Sequence, residues 1–267
     1  MKKIFLTGAS SGIGLAIAEA LVARGDEVWG TSRNLIRLEN LRGVHPVRLD
    51  LDDSRSIDDA FKSALSAAGN FDVVINNAGG GHFGPAEHLS DDEIQKQFQT
   101  LLFGHLQLMR LALAAMRARG NGLIINVTSL ASRLPVPFMA AYNAAKAAMA
   151  SFTMSIQLEL PDANIRIVDL QPADICTAFN DAIPKGAESE PRYQAAVAKT
   201  WDAVDRNMKN APKPQLVAEH VIRLMDSTNP PPRITVGDFF QTGIAPFIFR
   251  FLPQRVRNWG LKMYYGI

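Results

Sequence analysis

A tyrosine and a lysine four residues apart could form a proton-transfer site in this chain. Tyr142 and Lys146 lie in an alanine-rich stretch that predicts a helix, and their spacing places both side chains on one helical face. Ser129 comes 13 positions before the tyrosine, at the end of a predicted strand. Tyrosine exchanges protons efficiently only if its pKa falls from about 10 toward the working pH, and a nearby ammonium group favours that fall. These residue types predict proton exchange with a hydroxyl or carbonyl group.

A glycine-rich stretch near the N-terminus could hold a phosphate group. It lies between a short apolar run and a helix-forming segment. Glycines permit a tight turn, and the helix N-terminus that follows offers unpaired N–H groups and a positive dipole end. A purely structural turn is the alternative, but the strand before and the helix after favour a dinucleotide site. The predicted contacts are Gly8, Ser10, Ser11, Gly12, Ile13 and Gly14.

The end of the second predicted strand distinguishes the two nicotinamide dinucleotides. An acidic residue there would accept hydrogen bonds from the ribose hydroxyls of NAD, whereas a 2′-phosphate favours arginine. The sequence has Ser32 and Arg33 at this place and no acidic residue. Arg33 as an ordinary surface residue is the alternative. NADP(H) is the predicted cofactor.

Strand-like and helix-like segments alternate along the whole chain, which predicts parallel pairing with helices on both faces of the sheet. We expect an α/β fold with a doubly wound (Rossmann) parallel sheet of about seven strands, in a single domain covering residues 1–267. Ligands bind beyond the carboxyl ends of such strands. The predicted strands cover 4–7, 27–31, 45–49, 71–76, 123–127, 165–170 and 233–236.

Composition excludes several other classes of protein. The net charge is only +2 and no basic run is interleaved with aromatic residues, so a nucleic-acid partner is not expected. Cys176 is the only cysteine, which rules out an internal disulfide and favours a reducing, cytoplasmic location. The apolar run after Lys3 is too short for a signal peptide. No metal site is predicted.

Taken together, these motifs resemble the short-chain dehydrogenase/reductase family. The match consists of the Gly-x-x-x-Gly-x-Gly turn, the run Asn76-Asn77-Ala78-Gly79, and the Ser, Tyr-x-x-x-Lys arrangement. The resemblance implies an NADP(H)-dependent oxidoreductase that interconverts an alcohol and a ketone or aldehyde, and we expect a homo-oligomer. It also implies that Tyr142 exchanges the proton, that Lys146 contacts the nicotinamide ribose and that Ser129 holds the substrate oxygen. Further cofactor contacts implied by it are Asp50, Leu51, Asn77, Ala78, Gly79, Tyr142, Lys146, Pro172, Ile175 and Thr177.

Two positions depart from the family pattern. Leu101 occupies the place of an asparagine that, in the family, supports a helix distortion and a water-mediated proton path from the lysine. Ala173 replaces a glycine in the segment after the sixth strand. The leucine favours an alternative function, a non-catalytic or weakly catalytic NADP(H)-binding regulatory protein. The intact Ser129, Tyr142 and Lys146 argue against that alternative.

The substrate side is predicted from two segments. Residues 178–215 are expected to form a substrate lid. Residues 233–267 contain the last strand and a C-terminal segment with many aromatic residues and a net charge of +4. Such a tail resembles the hydroxysteroid-dehydrogenase-like branch of the family, which implies a steroid-, retinoid- or lipid-like substrate. Contact with a membrane surface is one interpretation, but Pro246 and Pro253 interrupt a long amphipathic helix and favour packing over the pocket or in an oligomer.

Overall fold

Seven parallel strands form one sheet in the order β3-β2-β1-β4-β5-β6-β7. The computed structural model describes residues 1–39, 41–161, 164–179 and 191–267. The order reverses between β1 and β4, so the loops after these strands diverge and leave a crevice at their carboxyl ends. The doubly wound sheet predicted from the sequence is confirmed. The strands are β1 Lys3–Leu6, β2 Glu27–Ser32, β3 Val44–Arg48, β4 Val73–Asn76, β5 Gly122–Val127, β6 Ile165–Pro172 and β7 Arg233–Val236.

Helices cover both faces of this sheet. The helices are α1 Gly12–Ala23, α2 Ile36–Glu39, α3 Ser54–Ala68, α4 Asp91–Phe98, α5 Gly104–Arg119, α6 Ala140–Glu159, α7 Pro191–Asn210, α8 Gln215–Asp226, α9 Ala245–Phe251 and α10 Gln254–Tyr265. α1 and α8 pack on one face, and α3 and α5 on the other. Since both faces are covered, the central strands are apolar throughout instead of alternating. In β1, Ile4, Phe5 and Leu6 are all completely buried.

The long helix predicted over 91–119 is interrupted in the structure. α4 begins with a capping box between Ser90 and Glu93, and a π-helical turn, Gln99–Phe103, separates it from α5. π-helical turns of this kind concentrate at functional sites. The interruption is not visible in the sequence, because the apolar spacing continues through it.

The predicted substrate lid, residues 178–215, is described only in part. Residues 180–190 lie outside the described residues. The rest of the lid contains α7 and the start of α8. The predicted C-terminal segment forms a second π-helical turn, Phe240–Ile244, followed by α9 and α10, and Pro253 separates these two helices.

The turn between β1 and α1 leaves no room for larger side chains. Gly8 and Gly12 have φ angles of 69° and 54°, which favour glycine. A Cβ atom placed on Gly8 would lie 2.8 Å from Ala78 Cα, and one placed on Gly14 would lie 2.0 Å from the Gly8 carbonyl oxygen. The backbone of α1 therefore approaches both the turn and the loop after β4 as closely as atoms allow.

We expect Gly14→Ala to lower the free energy of unfolding by at least about 2 kcal/mol, because the new methyl group overlaps a backbone oxygen that only a main-chain shift can move. Urea denaturation measures this change. Gly260→Ala is the matched control, since Gly260 also lies in a helix but a Cβ there meets nothing within 4 Å. Equal stability of Gly14→Ala and the wild type would contradict the close packing of this turn.

Candidate active site

A cavity of about 1200 Å³ lies at the carboxyl ends of the strands, over the point where the strand order reverses. Every residue that the sequence nominated for catalysis or cofactor binding lines it. From the glycine turn and the second strand these are Gly8, Ser10, Ser11, Gly12, Ile13, Gly14, Ser32 and Arg33. The others are Asp50, Leu51, Asn77, Ala78, Gly79, Ser129, Tyr142, Lys146, Pro172, Ile175 and Thr177.

Ser129, Tyr142 and Lys146 meet where β5 faces α6. The Ser129 and Tyr142 hydroxyl groups both line this part of the cavity, and the serine lies close enough to lower the pKa of the tyrosine. The Ser129 oxygen also accepts a hydrogen bond from the Ala131 N–H at 3.1 Å, which fixes the serine at the strand end. Lys146 Nζ donates to the Val127 carbonyl at 2.8 Å and lies 6.0 Å from the centre of the Tyr142 ring. The three groups thus form one polar corner of the cavity.

Burial determines the protonation states of Tyr142 and Lys146 in this corner. Burial lowers the pKa of Lys146 to about 8, although the negative charge of Asp169 opposes the change. Burial of the Tyr142 hydroxyl raises the pKa of that residue, the Ser129 hydroxyl opposes the rise, and the charge of Asp174 adds to it. In the protein alone, Tyr142 is therefore a neutral hydroxyl, and Lys146 loses its charge near pH 8.

The π-helical turn brings Leu101 next to this corner. A Cβ atom on Gly79 would lie 3.0 Å from Leu101 Cδ2 and 3.9 Å from Lys146 Nζ, so both side chains surround the same glycine. The turn is fixed from outside, since Gln99 Nε2 donates to the Leu51 carbonyl at 3.0 Å and the Thr100 hydroxyl donates to Asp52. The helix distortion therefore forms here with leucine at the position of the family asparagine.

His105, which the sequence predicted to be an ordinary helix residue, is a buried polar residue. It is 1% exposed, and its Nε2 atom has no hydrogen-bond partner within the described part of the chain. Burial and the charge of Lys146 lower the pKa of His105 to about 3, and a hydrogen bond to the Leu101 backbone opposes this effect. His105 is thus a neutral imidazole close enough to Lys146 to feel its charge. No pattern in the sequence marks it, because its neighbour lies on another helix.

The far end of the cavity carries two arginines. Arg33 is exposed at the end of β2, and Arg37 lines the same wall from α2. The Ser32 hydroxyl accepts a hydrogen bond from the Asn34 N–H at 3.2 Å, which shapes the loop between them. Arg37 was missed in the sequence because a four-residue helix has too few residues to show a helical period.

The loop after β4 supports the glycine turn. Asn77 Nδ2 donates to the Thr7 carbonyl at 2.9 Å, and Thr7 Oγ1 accepts hydrogen bonds from the Asn77 and Ala78 N–H groups at 2.8 and 2.9 Å. Asn76 points into the sheet instead and donates to Asn126 at 2.8 Å. The second asparagine of the pair therefore reaches the cavity, while the first joins β4 to β5.

The segment after β6 tolerates the alanine that replaces the family glycine. Ala173 does not have a left-handed φ angle, since Phe138 is the one non-glycine residue with positive φ within the described ranges. Gly237 leaves space for it, because a Cβ on that glycine would lie 2.6 Å from Ala173 Cβ. Further along, Thr177 lies against Gly12, where an added Cβ would be 3.7 Å away. This segment therefore lies over the glycine turn.

Apolar side chains make up the rest of the cavity wall and its support. Met139 lines the cavity and is buried together with Phe83 beside the polar corner. Phe138 has a φ angle of 62°, which costs a non-glycine residue roughly 1 kcal/mol or more, and its carbonyl accepts a hydrogen bond from the Gly84 N–H at 2.8 Å. Strained residues of this kind cluster at functional sites. Other apolar residues of the wall are Leu134, Val136, Phe179, Ile248, Phe249, Leu252 and Leu261.

Membrane-spanning helices and clusters of metal ligands are both absent from the described ranges. No helix there has the length and apolar character needed to cross a membrane. No group of three or more His, Cys, Asp or Glu residues in those ranges could hold a metal ion.

Comparison with known proteins gives the family. The family described as short chain dehydrogenase matches residues 2–188. The 3-ketodihydrosphingosine reductase of Bacteroides thetaiotaomicron is 30% identical over 266 residues, which cover 99% of this chain and 98% of that protein. A short-chain dehydrogenase from Streptomyces avermitilis has a TM-score of 0.79 at 30% identity, covering 93% of this chain and 90% of that one. An alcohol dehydrogenase from the archaeon Thermococcus sibiricus, solved with 5-hydroxy-NADP, has a TM-score of 0.73 at 26% identity, covering 90% and 97%. The chain therefore belongs to the short-chain dehydrogenase family of oxidoreductases.

Proposed function

We propose that this protein is an NADP(H)-dependent oxidoreductase that interconverts a ketone and an alcohol on a substrate with a large apolar part. One observation carries the proposal. Ser129, Tyr142 and Lys146 form a polar corner in a cavity that has the glycine turn on one side and an apolar wall on the other. The polar corner suits a carbonyl oxygen, and the apolar wall suits the remainder of a lipid-like molecule.

The residues around the glycine turn fit a dinucleotide. Close packing of Gly8 against Ala78, and of Gly14 against the Gly8 carbonyl, fixes the turn, which lines the cavity as a backbone cradle. The N-terminus of α1 directs its first N–H groups into this cradle, which suits a pyrophosphate. When bound, NADPH supplies the hydride for reduction. Asp50 and the arginines would face its adenosine end, and Ile175 and Thr177 its nicotinamide end.

The chain's own residues then hold the carbonyl oxygen and transfer the proton. Ser129 donates a hydrogen bond to the substrate oxygen and stabilises the negative charge that develops there. The Tyr142 hydroxyl gives its proton to that oxygen during reduction and takes it back during oxidation. The Lys146 ammonium favours the resulting phenolate, and it can do so only while it is charged, below about pH 8 in the protein alone.

The regulatory alternative receives less support from the structure than from the sequence. Leu101 was the feature that favoured it, but the π-helical turn forms without asparagine. The buried Lys146 ammonium is a costly feature in a protein that only binds a nucleotide.

An apolar substrate is further supported by one relative. The Bacteroides thetaiotaomicron protein, matched along nearly its whole length, is named as a reductase of 3-ketodihydrosphingosine, which is a keto lipid. We propose the same general class, a keto or hydroxy group on a lipid-like chain, and do not separate it from the steroid- and retinoid-like substrates. A cytoplasmic location and a homo-oligomeric state stay predictions.

The preference for NADP(H) is supported by Arg33 and Arg37. Both residues line the end of the cavity where the adenine ribose would lie, and two positive charges there favour a 2′-phosphate. Solved relatives of this fold hold NADP-type or NAD-type cofactors, so the fold alone does not decide.

We expect Arg33→Ala to lower the ratio of kcat/KM for NADPH over NADH by about tenfold or more, since a hydrogen-bonded charge pair contributes about 1.5–3 kcal/mol. Arg37→Ala should shift the ratio in the same direction. Steady-state kinetics with both cofactors measures it. Arg42→Ala, an exposed arginine outside the cavity wall, is the control and should leave the ratio unchanged. A wild-type ratio below one would refute the preference.

Tyr142→Phe should reduce turnover by about 10²–10⁴-fold, because it removes only the hydroxyl group that carries the transferred proton and keeps the aromatic packing. NADPH binding, measured by fluorescence, should remain. A panel of apolar ketones and aldehydes, followed by the loss of NADPH absorbance, tests the reaction. Tyr193→Phe removes a second aromatic hydroxyl outside the cavity wall and should retain activity. Near-wild-type rates in Tyr142→Phe would contradict proton transfer by the Tyr142 hydroxyl.

Lys146→Met should raise the free energy of unfolding at pH 7 by up to about 3 kcal/mol while it abolishes activity. The folded lysine titrates near 8 and the unfolded one near its ordinary value of 10.5, so the unfolded chain binds more protons between these values. Wild-type stability therefore rises with pH over this range, and the advantage of the Lys146→Met variant should mostly disappear by about pH 10. Urea denaturation at both pH values measures this. Lys199→Met, at an exposed lysine, is the control, and an equal gain at both pH values would contradict the buried charge.

A further inference from the structure

Most of the exposed apolar side chains lie in one stretch of the chain. Of the 15 large apolar residues that are exposed within the described ranges, ten lie between residues 239 and 264. The others are scattered over the N-terminus, α2, α6 and the first π-helical turn and form no comparable group. We call the ten the C-terminal surface. Its members are Phe239, Phe240, Ile244, Phe247, Ile248, Phe251, Val256, Trp259, Met263 and Tyr264.

The two C-terminal helices each divide their residues between the cavity and this surface. In α9, Phe249 lines the cavity, whereas Phe247 and Phe251 are each 68% exposed and take no part in its wall. In α10, Leu261 lines the cavity, whereas Trp259 and Met263 are each 63% exposed. The helices therefore carry one apolar face toward the cavity and a second apolar face toward solvent.

Four residues belong to both faces. Phe240, Ile248, Val256 and Tyr264 line the cavity and are 52%, 48%, 40% and 46% exposed. Residues that line a cavity and also reach solvent form its rim, so the cavity opens through the C-terminal surface. An apolar molecule entering there would cross this surface to reach Tyr142.

The face of the C-terminal segment that points toward the cavity, the inner face, is attached to the body of the protein by polar contacts. The Gln241 side chain donates to the Asp174 carboxylate and accepts from the Asp174 N–H at 3.2 Å. Asn207 Nδ2 donates to the Tyr264 hydroxyl at 2.8 Å, and Tyr265 is buried. Because these contacts hold the inner face in place, the outer apolar residues do not pack into the protein.

The charge of the same stretch identifies what the outer face can contact. Residues 239–267 contain Arg250, Arg255, Arg257 and Lys262 and no acidic residue. A symmetric pairing of two copies through this face would bring two surfaces of the same positive charge together, which is unfavourable. Exposed aromatic residues together with cations suit the interface of an anionic bilayer instead.

We infer that the C-terminal surface binds an anionic lipid bilayer and lets an apolar substrate pass from the bilayer into the cavity. The passage of substrate rests on the proposed function, but the binding of the bilayer does not. Phe247, Phe251, Trp259 and Met263 enter the boundary between headgroups and acyl chains. The three exposed cations, Arg250, Arg255 and Lys262, contact lipid phosphates, and the rim opens toward the acyl region.

The test is co-sedimentation of the full chain with vesicles of phosphatidylglycerol and phosphatidylcholine, and with vesicles of phosphatidylcholine alone. Wild-type protein should pellet with the anionic vesicles and should be released as salt is raised. Phe247→Gln/Trp259→Gln should weaken binding at least about tenfold. Arg255→Gln/Lys262→Gln should weaken binding to the anionic vesicles by about tenfold, with little effect on the neutral ones.

Ile36→Gln/Leu158→Gln is the matched control, since it removes two exposed apolar side chains from elsewhere on the surface and should bind vesicles as the wild type does. The inference is overturned if wild-type protein does not pellet, or if the control loses binding equally. It is also overturned if Phe247→Gln/Trp259→Gln changes the oligomeric state by light scattering, because the surface would then bind a second copy. Turnover of the panel of apolar ketones with NADPH in the absence of vesicles separates the two proposals. Absence of turnover would contradict the proposed function without affecting vesicle binding.

Discussion

The hydrogen bond from the Lys146 ammonium to the Val127 carbonyl is the contact on which the site depends. It joins α6 to the last residue of β5, and Ser129 follows two residues later on that strand end. Tyr142 lies one helical turn before the lysine, so the same bond helps to place Tyr142 and Ser129 at one end of the cavity. A cation 4% exposed is a costly way to attach a helix to a strand. That cost is consistent with a need for the charge itself.

The residues around Lys146 lower the free-energy cost of burying its ammonium group. Within the described part of the chain, no carboxylate forms a direct ion pair with it. Asp169 on β6 favours the charged form of Lys146 from a distance. Its carboxylate accepts hydrogen bonds from Arg233 Nε at 2.7 Å, from Gln171 Nε2 at 2.8 Å and from the Thr128 hydroxyl, so its own charge is fixed in place. His105 remains neutral and adds no positive charge. Burial therefore dominates, and the lysine keeps its charge only below about pH 8.

The sequence was sufficient for the fold and for naming candidate site residues that lie on single elements. Alternating strands and helices, the glycine turn and the Tyr142–Lys146 spacing are local patterns, and the structure brings all the nominated residues to one cavity. Residues that depend on tertiary contacts were not predictable. Arg37 lies on a helix of four residues, and the neighbours of His105 come from other helices. The two faces of α9 and α10 are likewise both apolar, so the sequence alone did not show which face closes the cavity.

Leu101 illustrates how one substitution can leave the backbone unchanged and alter the electrostatics. The π-helical turn survives because Gln99 and Thr100 bond to the loop after β3, so the asparagine is not needed for the shape. The leucine instead places an apolar side chain beside Gly79 and near the lysine. An apolar neighbour solvates an ammonium poorly, which adds to the burial that lowers the pKa of Lys146. The departure from the family pattern therefore leaves the backbone turn in place and puts an apolar side chain beside the buried lysine, whose pKa is about 8.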